Sequence, residues 1–133
     1  GQVDSSANSS IVSRAKDGQK GKVIGFLVSY DVDTKGEFIE LHQGRWLLTS
    51  SANSDADCIL INDESISSLH SIVLVNEDGR LLVLDMLSEA GTWYTDTQSG
   101  EERQVFGELV EVSHGDRFRF GKREFTFCLI PTY

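Results

Sequence analysis

With 133 residues, 39% of them hydrophobic and 25% charged, the chain is long enough for one domain whose core needs no disulfide staple. Twenty-one Asp and Glu against twelve Lys and Arg leave a net charge of −9. That balance disfavours a nucleic-acid binder, which gains affinity by neutralising phosphates with basic side chains. No apolar run approaches the ~18 residues of a membrane span, and no signal peptide shows. The chain opens Gly1-Gln2 without an initiator Met, as expected of a piece excised from a longer protein.

Residues 1–22 are rich in Ser, Asn, Gly, Asp and Lys without an apolar period, and read as a flexible N-terminal linker or arm. They carry a net +2, which leaves −11 for residues 23–133, the expected folded domain. From Val23 onward short runs rich in Val, Ile, Leu and Phe alternate with Gly, Asp, Asn and Ser. Strands are predicted at Ile24–Tyr30, Glu37–His42, Arg45–Thr49, Cys58–Ile61, Ser71–Asn76 and Arg80–Leu84. Further strands are predicted at Trp93–Tyr94, Val105–Phe106, Glu108–Val112, Arg117–Phe120 and Glu124–Ile130. Asp33-Thr34-Lys35-Gly36 and Asn76-Glu77-Asp78-Gly79 read as hairpin turns. No segment carries a helical stripe, so the pattern predicts an all-β antiparallel sandwich of about ten to eleven strands. Cys58 and Cys128 each sit inside an apolar run and read as two buried thiols in a reducing, cytoplasmic compartment.

Periodicity alone does not separate one kind of sandwich from another. Four short stretches do: Gly44-Arg45, then Ser67-Ser68-Leu69-His70, then Gly91-Thr92, then Gly115-Asp116-Arg117-Phe118-Arg119-Phe120-Gly121. In this order and at these separations the chain, from about Val23 to Ile130, resembles the forkhead-associated (FHA) domain, a sandwich of the SMAD/FHA type that binds phosphothreonine peptides. The resemblance implies that Arg45 reaches a phosphate oxygen from a loop, a task suited to a planar guanidinium that makes charge-assisted, bidentate bonds. It implies that Ser67 binds phosphate through its hydroxyl and backbone N–H, and that Ser68 donates beside it. His70 is expected to brace the loops from inside, together with Gly44, Gly91 and Thr92. The Gly115–Gly121 stretch implies a tight turn that buries Phe118 and Phe120.

The chain departs from the family's pattern at three ligand-facing positions. Ser68 stands where Arg, Lys or Asn is usual and adds no charge. Glu89 places a carboxylate near the expected phosphate, where it repels a dianion. Ala90 stands where the family has an Asn that bonds the peptide's main chain. Two functions therefore stay open. One is a reader of phosphothreonine peptides, whose partner would be a substrate of a Ser/Thr kinase. The other is a degenerate FHA domain acting as a phospho-independent protein–protein interaction or oligomerisation module.

Catalytic and metal readings find little support. Asp31-Val32-Asp33-Thr34-Lys35-Gly36 begins like a calcium loop, but Lys35 and His42 occupy positions where an EF-hand needs oxygen ligands. Asp63, Ser67 and His70 crowd one loop without a strained nucleophile elbow. His42, His70 and His114 lack zinc-ligand spacing. The expectation is a non-enzymatic protein-interaction module without catalytic residues, metal or cofactor, whose partner is a protein or phosphopeptide, neither nucleic acid nor membrane.

Overall fold

The alternation read from the sequence is realised as strands. The computed structural model describes residues 10–53 and 55–131. It places there β1 (Ile11–Arg14), β2 (Val23–Ser29), β3 (Glu37–His42), β4 (Gly44–Thr49), β5 (Cys58–Ile61) and β6 (Ser71–Val75). The second half holds β7 (Leu81–Asp85), β8 (Thr92–Thr95), β9 (Glu102–Gln104), β10 (Leu109–Val112), β11 (Arg117–Phe120) and β12 (Arg123–Leu129). Two six-stranded sheets form, a first in the order β1-β5-β4-β6-β7-β10 and a second in the order β3-β2-β12-β11-β8-β9. The described residues contain no helix, and so none long and apolar enough to cross a membrane.

Inward residues of the two sheets meet as one core. Trp46 and Leu48 of β4, Val73 and Val75 of β6, and Leu81 and Val83 of β7 face Phe118, Phe120, Phe125 and Phe127. In the hairpin of β11 and β12, Phe118 lies opposite Phe125, and Phe118 packs edge-on to Phe127 at 5.2 Å between ring centroids. Both predicted hairpin turns form. The Gly36 N–H bonds the Asp33 carbonyl at 2.8 Å and the Gly79 N–H bonds the Asn76 carbonyl at 3.0 Å.

Three features differ from the sequence reading. First, residues 11–14, expected within the flexible arm, form β1, which pairs antiparallel with β5 and buries Ile11 and Ala15. The Ser10 N–H and Oγ also bond the Glu37 carboxylate. Ile-Val-Ser-Arg is too short to show a period, and tertiary pairing alone makes it a strand. Residues 1–9 of the expected arm lie outside the described residues. Second, β5 runs parallel to β4, carried back by the 50–57 loop, so the first sheet is mixed rather than purely antiparallel. Third, the strand expected at Val105–Phe106 falls at Glu102–Gln104. This polar edge strand is held to β8 by its backbone, while Val105 lies buried beyond it. Of the two cysteines, Cys58 is buried in the first sheet and Cys128, on the second, is half-buried; both are free thiols.

Candidate functional site

One end of the sandwich gathers the loops 30–36, 50–57, 62–70, 86–91 and the turn at Gly121-Lys122. His70 ties two of them together. Its side chain is fully buried. Nδ1 accepts the Ser67 N–H at 3.0 Å, so Nε2 carries the proton and donates to the Gly91 carbonyl at 3.0 Å. Burial pushes the imidazole below its ordinary pKa, against the opposing pull of the Gly91 bond and the Asp85 charge, which keeps the ring in this neutral tautomer. His70, expected to brace the loops, thus links the Ser67 and Gly91 backbones through its two ring nitrogens. The Gly91 carbonyl also accepts the Gly121 N–H at 2.8 Å. Gly91 needs its left-handed φ of 91° here, a region open to glycine at no steric cost.

Asp85 organises the 86–91 loop. Its carboxylate accepts the Ser88 N–H and hydroxyl and the Thr92 hydroxyl at 2.7 Å. Thr92 is fully buried and meets the Ser71 hydroxyl at 3.0 Å, so it joins β8 of the second sheet to β6 of the first. Asp63 performs the same task for its own loop by accepting the Ser65 N–H and hydroxyl. Burial pushes the Asp63 carboxyl up; the Ser65 bonds and the charges of Lys122 and Arg123 outweigh that and hold it below the usual range. Asp85 was not singled out in the sequence, and Asp63 was weighed there only as a member of a hydrolytic triad. Asp-x-x-Ser and Asp-x-Ser, signatures of turns in which a side chain mimics backbone, were the available signal.

The site residues expected for phosphate do not come together. Ser67 and Ser68 lie at the loop end. The Ser67 hydroxyl accepts the Glu89 N–H at 3.0 Å, which leaves its own hydrogen to donate; its backbone N–H is committed to His70 and not open to a ligand. Ser68 is exposed, and its carbonyl accepts the Thr49 hydroxyl at 2.7 Å. Gly44 and Arg45, in contrast, begin β4 at the far end of the sandwich. The β4–β6 register sets Gly44 opposite Val75 and Arg45 opposite Leu74, whereas Leu48 lies opposite Ser71. At ~3.3 Å per residue, roughly 16 Å of chain separates Arg45 from Ser50. Ser50, not Arg45, is the neighbour of Ser67, with its N–H 3.4 Å from the Ser67 carbonyl. Arg45 therefore joins the outward face of the first sheet, where it lines a groove with Lys16, Leu47, Asp57, Leu69 and Ile72, and Gly44 braces none of the loops around Ser67. Nothing in a Gly-Arg pair says which end of its strand it occupies; loop length and strand register decide that.

Charge at this end follows from the loops themselves. Residues 50–57, 62–70 and 86–91 contain no Lys or Arg and five carboxylates: Asp55, Asp57, Asp63, Glu64 and Glu89. Lys122, from the adjoining turn, is paired with Glu64 at 3.1 Å. Arg123 is only 2% exposed and is held by Asp31 at 2.9 Å and Glu37 at 3.4 Å. Asp31, the start of the calcium-like stretch, is thus spent on an ion pair, and no cluster of metal-ligand type occurs among the described residues. Ile66 of this end is buried, but two of its apolar side chains are exposed. Leu69 is 48% exposed and Leu87, with a φ of 58°, is 93% exposed.

Two sheets braced by a buried histidine beneath a loop face define a β-sandwich interaction domain. The FHA domain model matches residues 44–121, well over half of the chain, and the protein belongs to the FHA domain family. Its fold is similar to that of an FHA domain from Chlamydia trachomatis, with 22% identity and a TM-score of 0.64, over 80% of this chain and 99% of that one. It is also similar to an FHA domain solved in a study of phosphothreonine-dependent interactions (18% identity, TM-score 0.59, 81% of this chain and 99% of that one). A third likeness is to the FhaA FHA domain in complex with the intracellular domain of another protein (19% identity, TM-score 0.56, 77% of this chain and 98% of that one). Among curated proteins no sequence match is found.

Proposed function

We propose that this FHA domain is a non-catalytic interaction module that takes a protein or peptide partner at its loop end, by hydroxyl and main-chain hydrogen bonds and apolar contact rather than by capture of a phosphate. Membership of the family, and similar domains studied as phosphothreonine-dependent binders or solved with a protein partner, support an interaction role. One observation carries the phospho-independent reading: the loops around Ser67 hold five carboxylates and no Lys or Arg, and Arg45 stands roughly 16 Å of strand away. A phosphate dianion there would meet the Ser67 and Ser68 hydroxyls without the Arg45 guanidinium; the Arg14 guanidinium that reaches this end is bonded to the Ala52 carbonyl at 3.0 Å. Loss of a charge-assisted bond costs about 1.5–3 kcal/mol, on top of repulsion by Glu89. Two free thiols on different sheets suit a reducing compartment.

A second reading, a weak phosphothreonine reader, has one observation in its favour: the Ser67 hydroxyl, oriented by the Glu89 N–H, keeps its hydrogen for an acceptor. A peptide array carrying phosphothreonine sequences and their unphosphorylated twins, followed by calorimetry on the best pair, separates the two. The expected preference for phosphate is below about tenfold, unchanged in Arg45→Ala. A preference well above tenfold, abolished in Ser67→Ala, would establish the phosphothreonine reader and overturn the charge argument.

A further inference from the structure

The outward face of the first sheet is apolar where that of the second is mixed. On the second sheet Arg117, Arg119, Glu124 and Glu40 share the outward face with Phe26 and Phe38. On the first, Trp46, Leu48, Val73, Val83 and Val110 point into the core, so their alternate neighbours point out. Strand register sorts these neighbours into rows. Arg45, Leu74, Leu82 and Glu111 form one row across β4, β6, β7 and β10. Leu47, Ile72, Leu84 and Leu109 form the next. A sheet with one face in water alternates apolar with polar, whereas strands apolar on both faces belong to covered sheets.

The first of these rows reads positive, apolar, apolar, negative. We propose that this face is an isologous dimer interface, covered by a second copy of the chain. A twofold axis parallel to the strands, passing between β6 and β7, reverses the row while keeping its height. It lays Leu74 on Leu82 and sets Arg45 of each copy against Glu111 of the other. The next row likewise falls on its own reverse, Leu47 against Leu109 and Leu84 over Ile72, which its own chain already covers to 6% exposure. Facing sheets cross at about 30°, which displaces the row ends, some 7 Å from the axis, by about 4 Å; both Arg and Glu are long enough to span that shift. Arg45 is exposed and enters none of the ion pairs among the described residues. Glu111 bonds Arg80 through Oε1 at 2.7 Å, and its second oxygen remains to accept from Arg45.

This arrangement goes beyond the loop-end reading and has a consequence for it. Because the axis runs along the strands, the two loop ends point the same way. The dimer presents two binding faces side by side, and a partner with two recognition segments would gain avidity.

Sedimentation velocity over roughly 5–500 µM, where mass action converts monomer to dimer, tests the proposal. Wild type is expected to dimerise. Arg45→Glu and Glu111→Arg are each expected to weaken dimerisation at least about tenfold, since each sets like charges opposite one another twice. A mixture of the two variants is expected to restore it, because both contacts in the mixed dimer again join Glu to Arg. Both positions are exposed, so folding is not at stake, and circular dichroism of each variant checks it. A wild type that stays monomeric throughout overturns the proposal. So does a dimer indifferent to both reversals, which would lie on another face, or a pair of weakened variants whose mixture stays monomeric.

Discussion

Replacement of His70 by Ala tests the brace on which the loop end depends. The imidazole is fully buried, packs edge-on to Phe120 at 6.0 Å, and satisfies the Ser67 N–H and the Gly91 carbonyl. Excision of a buried ring costs about 3–5 kcal/mol for larger aromatics. A buried group left unbonded costs about 1–3 kcal/mol, although Gly91 keeps its Gly121 bond and Ser67 can turn to water. Together these give an expected loss of about 3–4 kcal/mol, a large share of the 5–15 kcal/mol typical of a domain. With an m-value near 2 kcal/mol/M, the urea midpoint falls by about 2 M. Fluorescence of Trp46 and Trp93 reports the transition, and the Ser67, Glu89 and Gly91 amides in a nitrogen–proton correlation spectrum report the loops. His70→Asn, which offers an acceptor but reaches less far, should fall between. A loss below about 1 kcal/mol, or unmoved Glu89 and Gly91 amides, would refute the bracing role. The pH dependence gives a second readout. Burial holds the folded pKa of His70 below its ordinary value, so the unfolded chain binds the proton more readily. Stability from this group is intact above about pH 6.5 and declines as pH falls from there toward the folded pKa. That decline should be absent in His70→Asn.

Three further predictions concern the same end of the domain. Asp31→Asn strips Arg123 of its closer partner and should cost about 2–3 kcal/mol in urea unfolding, less than for a wholly buried pair because Glu37 remains and Asp31 is partly wet. Burial pushes the Asp31 carboxyl up, but the Arg123, Ser29 and Glu124 N–H bonds outweigh it and hold it low. Its stabilisation is therefore full above the unfolded value near 3.9 and lost as pH falls through the lower folded value; acid titration of Asp31→Asn should lack that portion. Gly121→Ala would place a Cβ at a φ of 60° and 2.6 Å from the Ser65 carbonyl, and a melting-temperature drop equivalent to about 2 kcal/mol or more is expected; a change under ~0.5 kcal/mol would show that the β11–β12 turn relaxes freely. Leu87→Gly removes an exposed side chain from a left-handed residue and should leave stability level or raise it by up to about 1 kcal/mol, whereas a loss above that would mean Leu87 packs in solution.

Local patterns in the sequence determined most of the architecture. Arg-Phe-Arg-Phe and Glu-Phe-Thr-Phe show the two-residue period of a strand with one buried face, and glycine at the turns marks where the chain reverses. Within the site, His70, Gly91 and Thr92 were legible because each sits in a short stretch whose partners are set by the fold they share. Tertiary structure alone decided the rest. β1 becomes a strand only because β5 offers an edge for it to pair with. Arg45 and Ser67 are parted by the β4–β6 register, a long-range pairing that no local spacing encodes. That register also sends Arg45 to a sheet face and leaves Ser50 beside Ser67, which turns an expected cationic phosphate grip into a hydroxyl-lined, acidic loop end.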